Sequence, residues 1–550
     1  MLAKRIRYVV PILVILLATA ALLSLWVRPA AGAPLFYVDS NDDTHDTNPG
    51  DGECADGAGH CTLRAAVEEA NHLTGSIVIL PPDSYVLSLG ALQIDNTKTT
   101  IDASDYSPFT PAIDGNSQDR VFEVTGGTAA TLVLKNVEIR NGRADHGAGI
   151  DVEGIGHNSL TLQGDLIDNN IATGVGGGGL DLLGPDTVTL RDVKVRSNTA
   201  LAGGGGAYLG AAFPTAAVIT NSSFNFNSAG GAGGAIYTYG SYVYVVDSTV
   251  GENSTGQSGG GIYLDNSTVM YAYSDTITKN QANASQSQQH ENDYIGGGVN
   301  GQNGNFIFKD TILAGNFEKA TIQNVLRNSP GDCAGAIFAH DYDMTLGYEQ
   351  THCSIMGWNP TDHLGLDPKL DSATEGATYY YPLQSGSPAI DAGDPAGCEG
   401  VNSANLTDDQ RGYQRVSGAA CDIGSYESAA DPTPSPMPTP SPTPSPTPTA
   451  SPTSSPTGTP HATLIQGDND CSGQVRATDA LDELDSLSGI AFNHAAGCPN
   501  LGSIVGTERF GDLNCDNNVS PPDVVRLLEY VDGLPLAHVP PCPDIGHPLS

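Results

Sequence analysis

Two stretches near the C-terminus carry oxygen-bearing side chains at the spacing of a calcium loop. DNDCSGQVRATD (468–479) and DLNCDNNVSPPD (512–523) recur 44 residues apart without a gap. Side chains at positions 1, 3, 5 and 12 and the carbonyl at position 7 supply the ligands that Ca²⁺ prefers. The predicted ligands are Asp468, Asp470, Ser472, Gln474 and Asp479 in the first loop, and Asp512, Asn514, Asp516, Asn518 and Asp523 in the second.

An amphipathic helix is predicted after each loop, and Gly489 and Gly533 suit the C-terminal caps. Position 12 is Asp in both loops, where ordinary EF-hands have Glu. This duplicated loop and helix unit, residues 463–550, resembles the dockerin family. The resemblance implies a small α-helical calcium-binding domain and a cohesin-like scaffold domain as its partner.

A second set of candidate binding residues follows short Gly-rich motifs at 147, 177, 204, 233, 259 and 296. Two positions after each tripeptide stands a polar or aromatic residue. If the chain coils in register, these residues stack at the strand spacing of about 4.8 Å and form one outward-facing ladder. Aromatic rings beside carboxylates could bind a sugar chain, or could stabilise the sheet. The predicted ladder is Asp151, Asp181, Tyr208, Tyr237, Tyr263 and Asn300.

The element that must position this ladder is a solenoid. Seven apolar, strand-like runs each end in Asn, and the Asn-to-Asn steps are 29, 28, 29, 26, 27 and 36 residues. Such a period indicates one coil per repeat. We therefore predict an all-β fold, a right-handed parallel β-helix of the pectin lyase-like type, with coils over 81–330. The terminal asparagines suit bends, since Asn tolerates left-handed backbone, and they could hydrogen-bond from coil to coil.

Composition limits the function classes. With 23 basic and 62 acidic residues and a net charge of -39, the chain is not expected to bind nucleic acid, whereas cations are expected partners. Residues 1–32 have the layout of a secretory signal peptide. The alternative is an uncleaved anchor, in which case only this segment would contact a membrane. Either way we expect a secreted or cell-surface protein.

Ten cysteines fit an oxidising compartment, and they occur as sequence neighbours. Sequence does not fix their connectivity, although local pairing is the simplest arrangement.

Two further regions resemble modules of exported bacterial β-helix proteins. CTLRAA, within residues 35–80, resembles the CSLREA-type N-terminal module, and its amphipathic helix would cap the open end of the solenoid. YYYPLQSGSPAIDAGDPAGC and DDQRGYQRVSGAACDIGSYE, within 331–428, resemble the choice-of-anchor Q region, which implies surface display. We expect 331–428 to form the last coils and a cap. Residues 429–462, rich in Pro, Ser and Thr, are a predicted extended linker.

Two functions remain open from the sequence. The preferred one is a non-catalytic surface protein that binds a polysaccharide or another surface ligand and is docked through its calcium-binding tail. The alternative is a polysaccharide lyase or glycoside hydrolase. Asp151 and Asp181, one coil apart, are the candidate catalytic carboxylates for it, because a retaining hydrolase needs two close carboxyl groups. Catalytic motifs known from those enzymes are not recognisable in the chain.

Overall fold

The computed structural model describes residues 33–428 apart from short gaps, and beyond them only Ile504–Val505 and Glu508–Arg509. The gaps are 96–97, 107–109, 126–128, 154–157, 186, 211–215, 284–294, 302, 323–324, 347–352, 402–403 and 416. The predicted signal segment, the linker and all ten calcium-loop residues therefore lie outside the described residues. The chain divides into two units, Met1–Met437 and Pro438–Ser550. In the second unit only the hairpin of Ile504–Val505 with Glu508–Arg509 is described.

The described part of the first unit is a right-handed parallel β-helix. The coils over 131–330 pass in order through four sheets, which we number first to fourth, whereas the described coils before and after them have no strand in the fourth. The strands of the first sheet are Leu92–Ile94, Phe122–Val124, Ile150–Glu153, Leu180–Leu183, Ala207–Gly210, Ile236–Tyr239, Ile262–Asp265 and Val299–Asn300. Those of the second are Leu35–Tyr37, Ser76–Ile79, Lys98–Asp102, Thr131–Lys135, Ser159–Gln163, Thr187–Arg191, Ala216–Thr220, Tyr242–Val246, Val269–Tyr273, Asn305–Lys309 and Cys353–Met356. Cys333–Ala339 pairs with strands of both sheets.

The other two sheets complete each coil. The third consists of Ser84–Val86, Ala112–Asp114, Glu138–Arg140, Leu166–Asp168, Lys194–Arg196, Ser223–Asn225, Thr249–Gly251, Thr276–Thr278, Ile312–Leu313, Met344–Thr345 and His363–Leu364. The fourth consists of Arg143–Ala144, Ile171–Ala172, Thr199–Ala200, Ser228–Ala229, Ser254–Thr255, Gln281–Ala282, Phe317–Ile322 and Val325–Pro330, the last two being antiparallel. Thr374–Glu375 and Tyr379–Tyr380 form a separate hairpin. Alternating apolar side chains of the first three sheets fill one continuous core.

A column of buried amides fixes the bend between the third and fourth sheets. The side-chain nitrogen of each Asn donates to the side-chain oxygen of the next at 2.9–3.1 Å, and Asp332 ends the column. The members are Asn170, Asn198, Asn227, Asn253, Asn280 and Asn316, as the sequence predicted.

The first of the seven asparagines differs. Asn141 aligns with Asn169, and it bonds Asp114 instead, while Gly142 takes the column position and donates its amide to Asn170. The left-handed backbone also lies one residue earlier than expected. Asn169, Ser197 and Phe226, with φ of 62°, 56° and 59°, adopt it just before column asparagines.

The Gly-rich tripeptides connect the fourth sheet to the first. A Cβ atom on Gly205 would lie 2.3 Å from the carbonyl oxygen of Gly234 in the next coil. Only glycine therefore allows the backbones of successive turns to approach this closely.

The N-terminal helix Leu63–Ala70 packs against Ser76–Ile79 and Leu92–Ile94. Leu63, Ala66 and Val67 join the core, which matches the predicted apolar face. A short 3₁₀ helix spans Ser104–Tyr106. Three of the neighbouring cysteine pairs form disulfides, Cys54–Cys61, Cys333–Cys353 and Cys398–Cys421. Among the described residues, no helix is long and apolar enough to cross a membrane.

The C-terminal part of the first unit departs from the expected arrangement. Residues 331–364 do form the last coils, but the segment 370–428 lies along the third sheet. Gln410 donates to the Ser222 carbonyl, Arg415 pairs with Asp247, and Ser425 bonds Thr276. Because these partners belong to three successive coils, the segment covers a side of the solenoid.

Candidate functional site

The six predicted ladder residues occupy one register position of the first sheet. Each is the pairing partner of the next, from Asp151 and Asp181 through the tyrosines to Asn300. Their neighbours in each strand, such as Ile150 and Val152, point into the core. The ladder side chains therefore project from the opposite face, because side chains alternate along a strand. The Gly-rich turns then decide how much of each ladder residue solvent reaches.

At the carboxylate end the ladder is covered. A Cβ atom on Gly147 would lie 2.7 Å from the Cβ of Asp151 and 3.1 Å from that of Asp181. This turn leaves Asp151 and Asp181 0% and 1% exposed. Asn300, at the other end, is also buried. The expectation of a solvent-facing ladder is therefore wrong for these three residues.

Two residues from neighbouring turns complete the carboxylate end. The Arg120 guanidinium donates to Asp151 Oδ2, and its Nη2 lies 3.1 Å from Asp145 Oδ1. The His146 Nδ1 atom lies 3.5 Å from both Asp151 Oδ1 and Asp181 Oδ2. The sequence analysis did not identify Arg120 or His146 as members of this cluster. The ladder continues one coil back to Glu123, which pairs with Asp151, and Arg120 could have been identified as a basic residue close to it in sequence.

Burial perturbs the acidity of this pair. It raises the pKa of Asp151 to about 6, against the opposing effect of Arg120 and His146. Burial, and then the charge of Asp151, raise the pKa of Asp181 to about 8. Buried carboxyl groups with such shifts are typical of functional sites, although structural clusters show them too.

The three tyrosines form an open stack. The ring centroids of Tyr208 and Tyr237 are 5.0 Å apart, and those of Tyr237 and Tyr263 are 5.2 Å apart, with nearly parallel planes. Ring faces within the stack therefore contact each other, which fits the alternative of a sheet-stabilising ladder and leaves no room for a sugar against these inner faces. Ring edges and hydroxyls remain, and the Tyr237 hydroxyl donates to Asp265 Oδ2 at 2.7 Å. Burial, together with the Asp181 charge, raises the pKa of Tyr208 to about 12, so this hydroxyl stays neutral.

A groove of about 410 Å³ runs over the stacked tyrosines. Val175 and Leu201, 76% and 66% exposed, stand at its wall. The turns at Gly203 and at Gly230–Gly231, together with Gln257, provide backbone and amide groups. This combination of exposed aliphatic side chains, hydroxyls and amide groups suits a ligand with both C–H surface and hydroxyl groups.

Comparison with known proteins gives little further information. No family model matches the chain, and no curated protein matches it. Among solved structures it is similar to pectate lyase Pel9A, with 15% identity and a TM-score of 0.38 over 72% of this chain and 98% of that chain. A match this distant carries no argument about activity, and the β-helix assignment depends on the strand pairing.

Proposed function

We propose that this protein is an exported, non-catalytic β-helix protein that binds a polysaccharide in the groove over Tyr208, Tyr237 and Tyr263. The observation that supports this most is the groove itself, where stacked hydroxyl-bearing rings lie beside exposed Val175 and Leu201. Stacking orders the three rings before binding, so little side-chain entropy is lost on contact with a ligand.

The charge of the chain favours a neutral polysaccharide. The net charge is -39, and Asp265 lies beside the tyrosine hydroxyls. An anionic polymer would be repelled by this field, and the repulsion would be greatest at low ionic strength. A neutral chain can accept and donate hydrogen bonds along the groove without that cost.

A glycan array probed with the full chain tests the proposal. We expect binding to neutral polysaccharides, weaker or no binding to polyuronates, and loss of binding in the triple variant Tyr208→Ala, Tyr237→Ala, Tyr263→Ala. The matched control is Tyr244→Ala with Tyr271→Ala, a pair stacked at 5.1 Å on the second sheet. Binding that survives in the triple variant would show that the groove is not the site.

A polysaccharide lyase or glycoside hydrolase is the second candidate, because Asp151 and Asp181 have raised pKa values and Arg120 is adjacent. Their burial counts against it, since neither carboxyl reaches the groove. The enzyme proposal requires depolymerisation that Asp181→Asn abolishes. If no products form from a broad panel of polysaccharides that includes pectin, the enzyme proposal is rejected.

We further propose that residues 463–550 dock the protein through two calcium ions to a cohesin-like domain, in keeping with the duplicated loops. Calorimetry of the full chain should show about two bound Ca²⁺ ions. The double variant Asp468→Ala, Asp512→Ala should lose them, because each substitution removes the first ligand of a loop. Unchanged calcium binding in this variant would reject the assignment.

A further inference from the structure

The cluster under the Gly147 turn contains polar atoms that the rest of the fold does not satisfy. His146 Nδ1, Asp151 Oδ1 and Asp181 Oδ1 are buried and make no hydrogen bond to any described residue. Unsatisfied buried carboxylate oxygens are costly, so such an arrangement calls for a ligand or a functional reason. The groove over the tyrosines does not use these atoms.

The distances from His146 Nδ1 to the two carboxylates bear on whether a shared proton or a metal ion joins these groups. A protonated imidazole bonded to a carboxylate would give an N–O distance of about 2.7–2.9 Å. The observed distances from His146 Nδ1 to Asp151 Oδ1 and to Asp181 Oδ2 are both 3.5 Å. Metal bonds of about 2.0–2.1 Å in a tetrahedral site place neighbouring ligand atoms about 3.4 Å apart. Both distances are therefore too long for hydrogen bonds and match two edges of a metal tetrahedron.

Neighbouring charged residues orient these side chains, as outer-shell residues do in metal sites. The Arg120 guanidinium donates to Asp151 Oδ2, so that Asp151 Oδ1 faces His146. On the far side of the imidazole, His146 Nε2 lies 3.6 Å from Asp145 Oδ1 and 3.8 Å from Glu153 Oε1. Both distances are too long for hydrogen bonds, but the two negative charges favour the tautomer with its proton on Nε2, which leaves a lone pair on Nδ1.

We propose that His146, Asp151 and Asp181 bind one divalent transition-metal ion of the Zn²⁺ class. Imidazole is a good ligand for zinc and its neighbours in the series, whereas Ca²⁺ and Mg²⁺ select oxygen. With Asp145, Glu123 and Glu153 nearby, the carboxylates outnumber the single Arg120 charge, so a dication is electrostatically favoured. Three protein ligands leave one tetrahedral position for water or another small ligand. This site does not depend on polysaccharide binding.

Zinc titration of the full chain, with excess Ca²⁺ present, tests the proposal. We expect His146→Ala and Asp181→Asn each to lose one equivalent of Zn²⁺, with circular dichroism showing that the β-helix persists. The control is His60→Ala, since the His60 Nδ1 atom lies 3.7 Å from Asp39 but the pair is well exposed. This control should keep the full stoichiometry.

Two further measurements make the result decisive. Asp145→Asn should retain the site but bind Zn²⁺ several-fold more weakly, because it removes a negative charge that lies 3.6 Å from His146 Nε2. Co²⁺ in place of Zn²⁺ should give the strong visible absorption of a tetrahedral ion, absent in His146→Ala. Equal Zn²⁺ stoichiometry in wild type and His146→Ala, or occupation of the site by Ca²⁺ instead, would overturn the proposal.

Discussion

Single residues determine how this solenoid bends and where it can bind. Each column asparagine is buried and donates its amide both along the column and to a backbone carbonyl, as Asn227 does to Val195 at 2.8 Å. A residue of this kind satisfies several buried groups at once, so its loss leaves them unpaired. Asn141 ends the same sequence motif but lies outside the column, and its side-chain amide donates to the Asp114 carboxylate.

We predict that Asn227→Ala lowers the free energy of unfolding by roughly 3 kcal/mol or more, because each orphaned buried group costs about 1–3 kcal/mol. Asn141→Ala should cost less, about 1.5–3 kcal/mol, because a single hydrogen bond to the Asp114 carboxylate is lost. Urea unfolding followed by circular dichroism measures both. Equal losses in the two variants would contradict the role of the column.

Sequence was most informative at the scale of the strands. Period and glycine spacing predicted the coils and the pairing of Asp151 with Asp181 and of Tyr208 with Tyr237, because stacked coils repeat one backbone geometry. The covering of the carboxylates was not predictable in this way. It depends on the path of an irregular turn, and the residues that complete the cluster, Arg120 and His146, follow no repeat.

Two further expectations at the scale of the strands, sugar binding to the ring faces and the position of residues 370–428, depart from the structure for physical reasons. Rings one strand apart are separated by about 5 Å, which leaves no room for a sugar between them. The resemblance to the choice-of-anchor Q region led us to expect that residues 331–428 form the last coils and a cap, and 370–428 is the part that departs from this. Its polar side chains instead satisfy buried groups along the third sheet, and Arg415, with Asp247 and Glu427, is fully buried.

We predict that Arg415→Ala detaches this segment. The substitution leaves two buried carboxylates without their cation, and breaking a buried ion pair costs about 3–5 kcal/mol. Limited proteolysis should cut within 370–428 much faster than in wild type while the coils remain resistant. Arg191→Ala, at an exposed position, is the control and should leave the cleavage rate unchanged. An intact segment in Arg415→Ala would show that other contacts suffice.

At the scale of the whole molecule, the β-helix of the first unit has sides that differ. The first sheet carries the tyrosine groove and the carboxylate cluster, and part of the third sheet is covered by residues 370–428. A repeat fold of this kind presents an extended surface suited to a polymeric ligand. The acidic charge of the chain repels anionic polymers, and we propose that it thereby favours neutral polysaccharides.

Amide hydrogen exchange with and without the best-binding neutral polysaccharide tests the groove most directly, because it locates contacts without substitutions. We predict slower exchange in the turns at 201–203 and 230–232, which line the groove, and little change along the second sheet around Tyr244 and Tyr271. Protection confined to the second sheet, or none in the groove turns at saturating ligand, would contradict it.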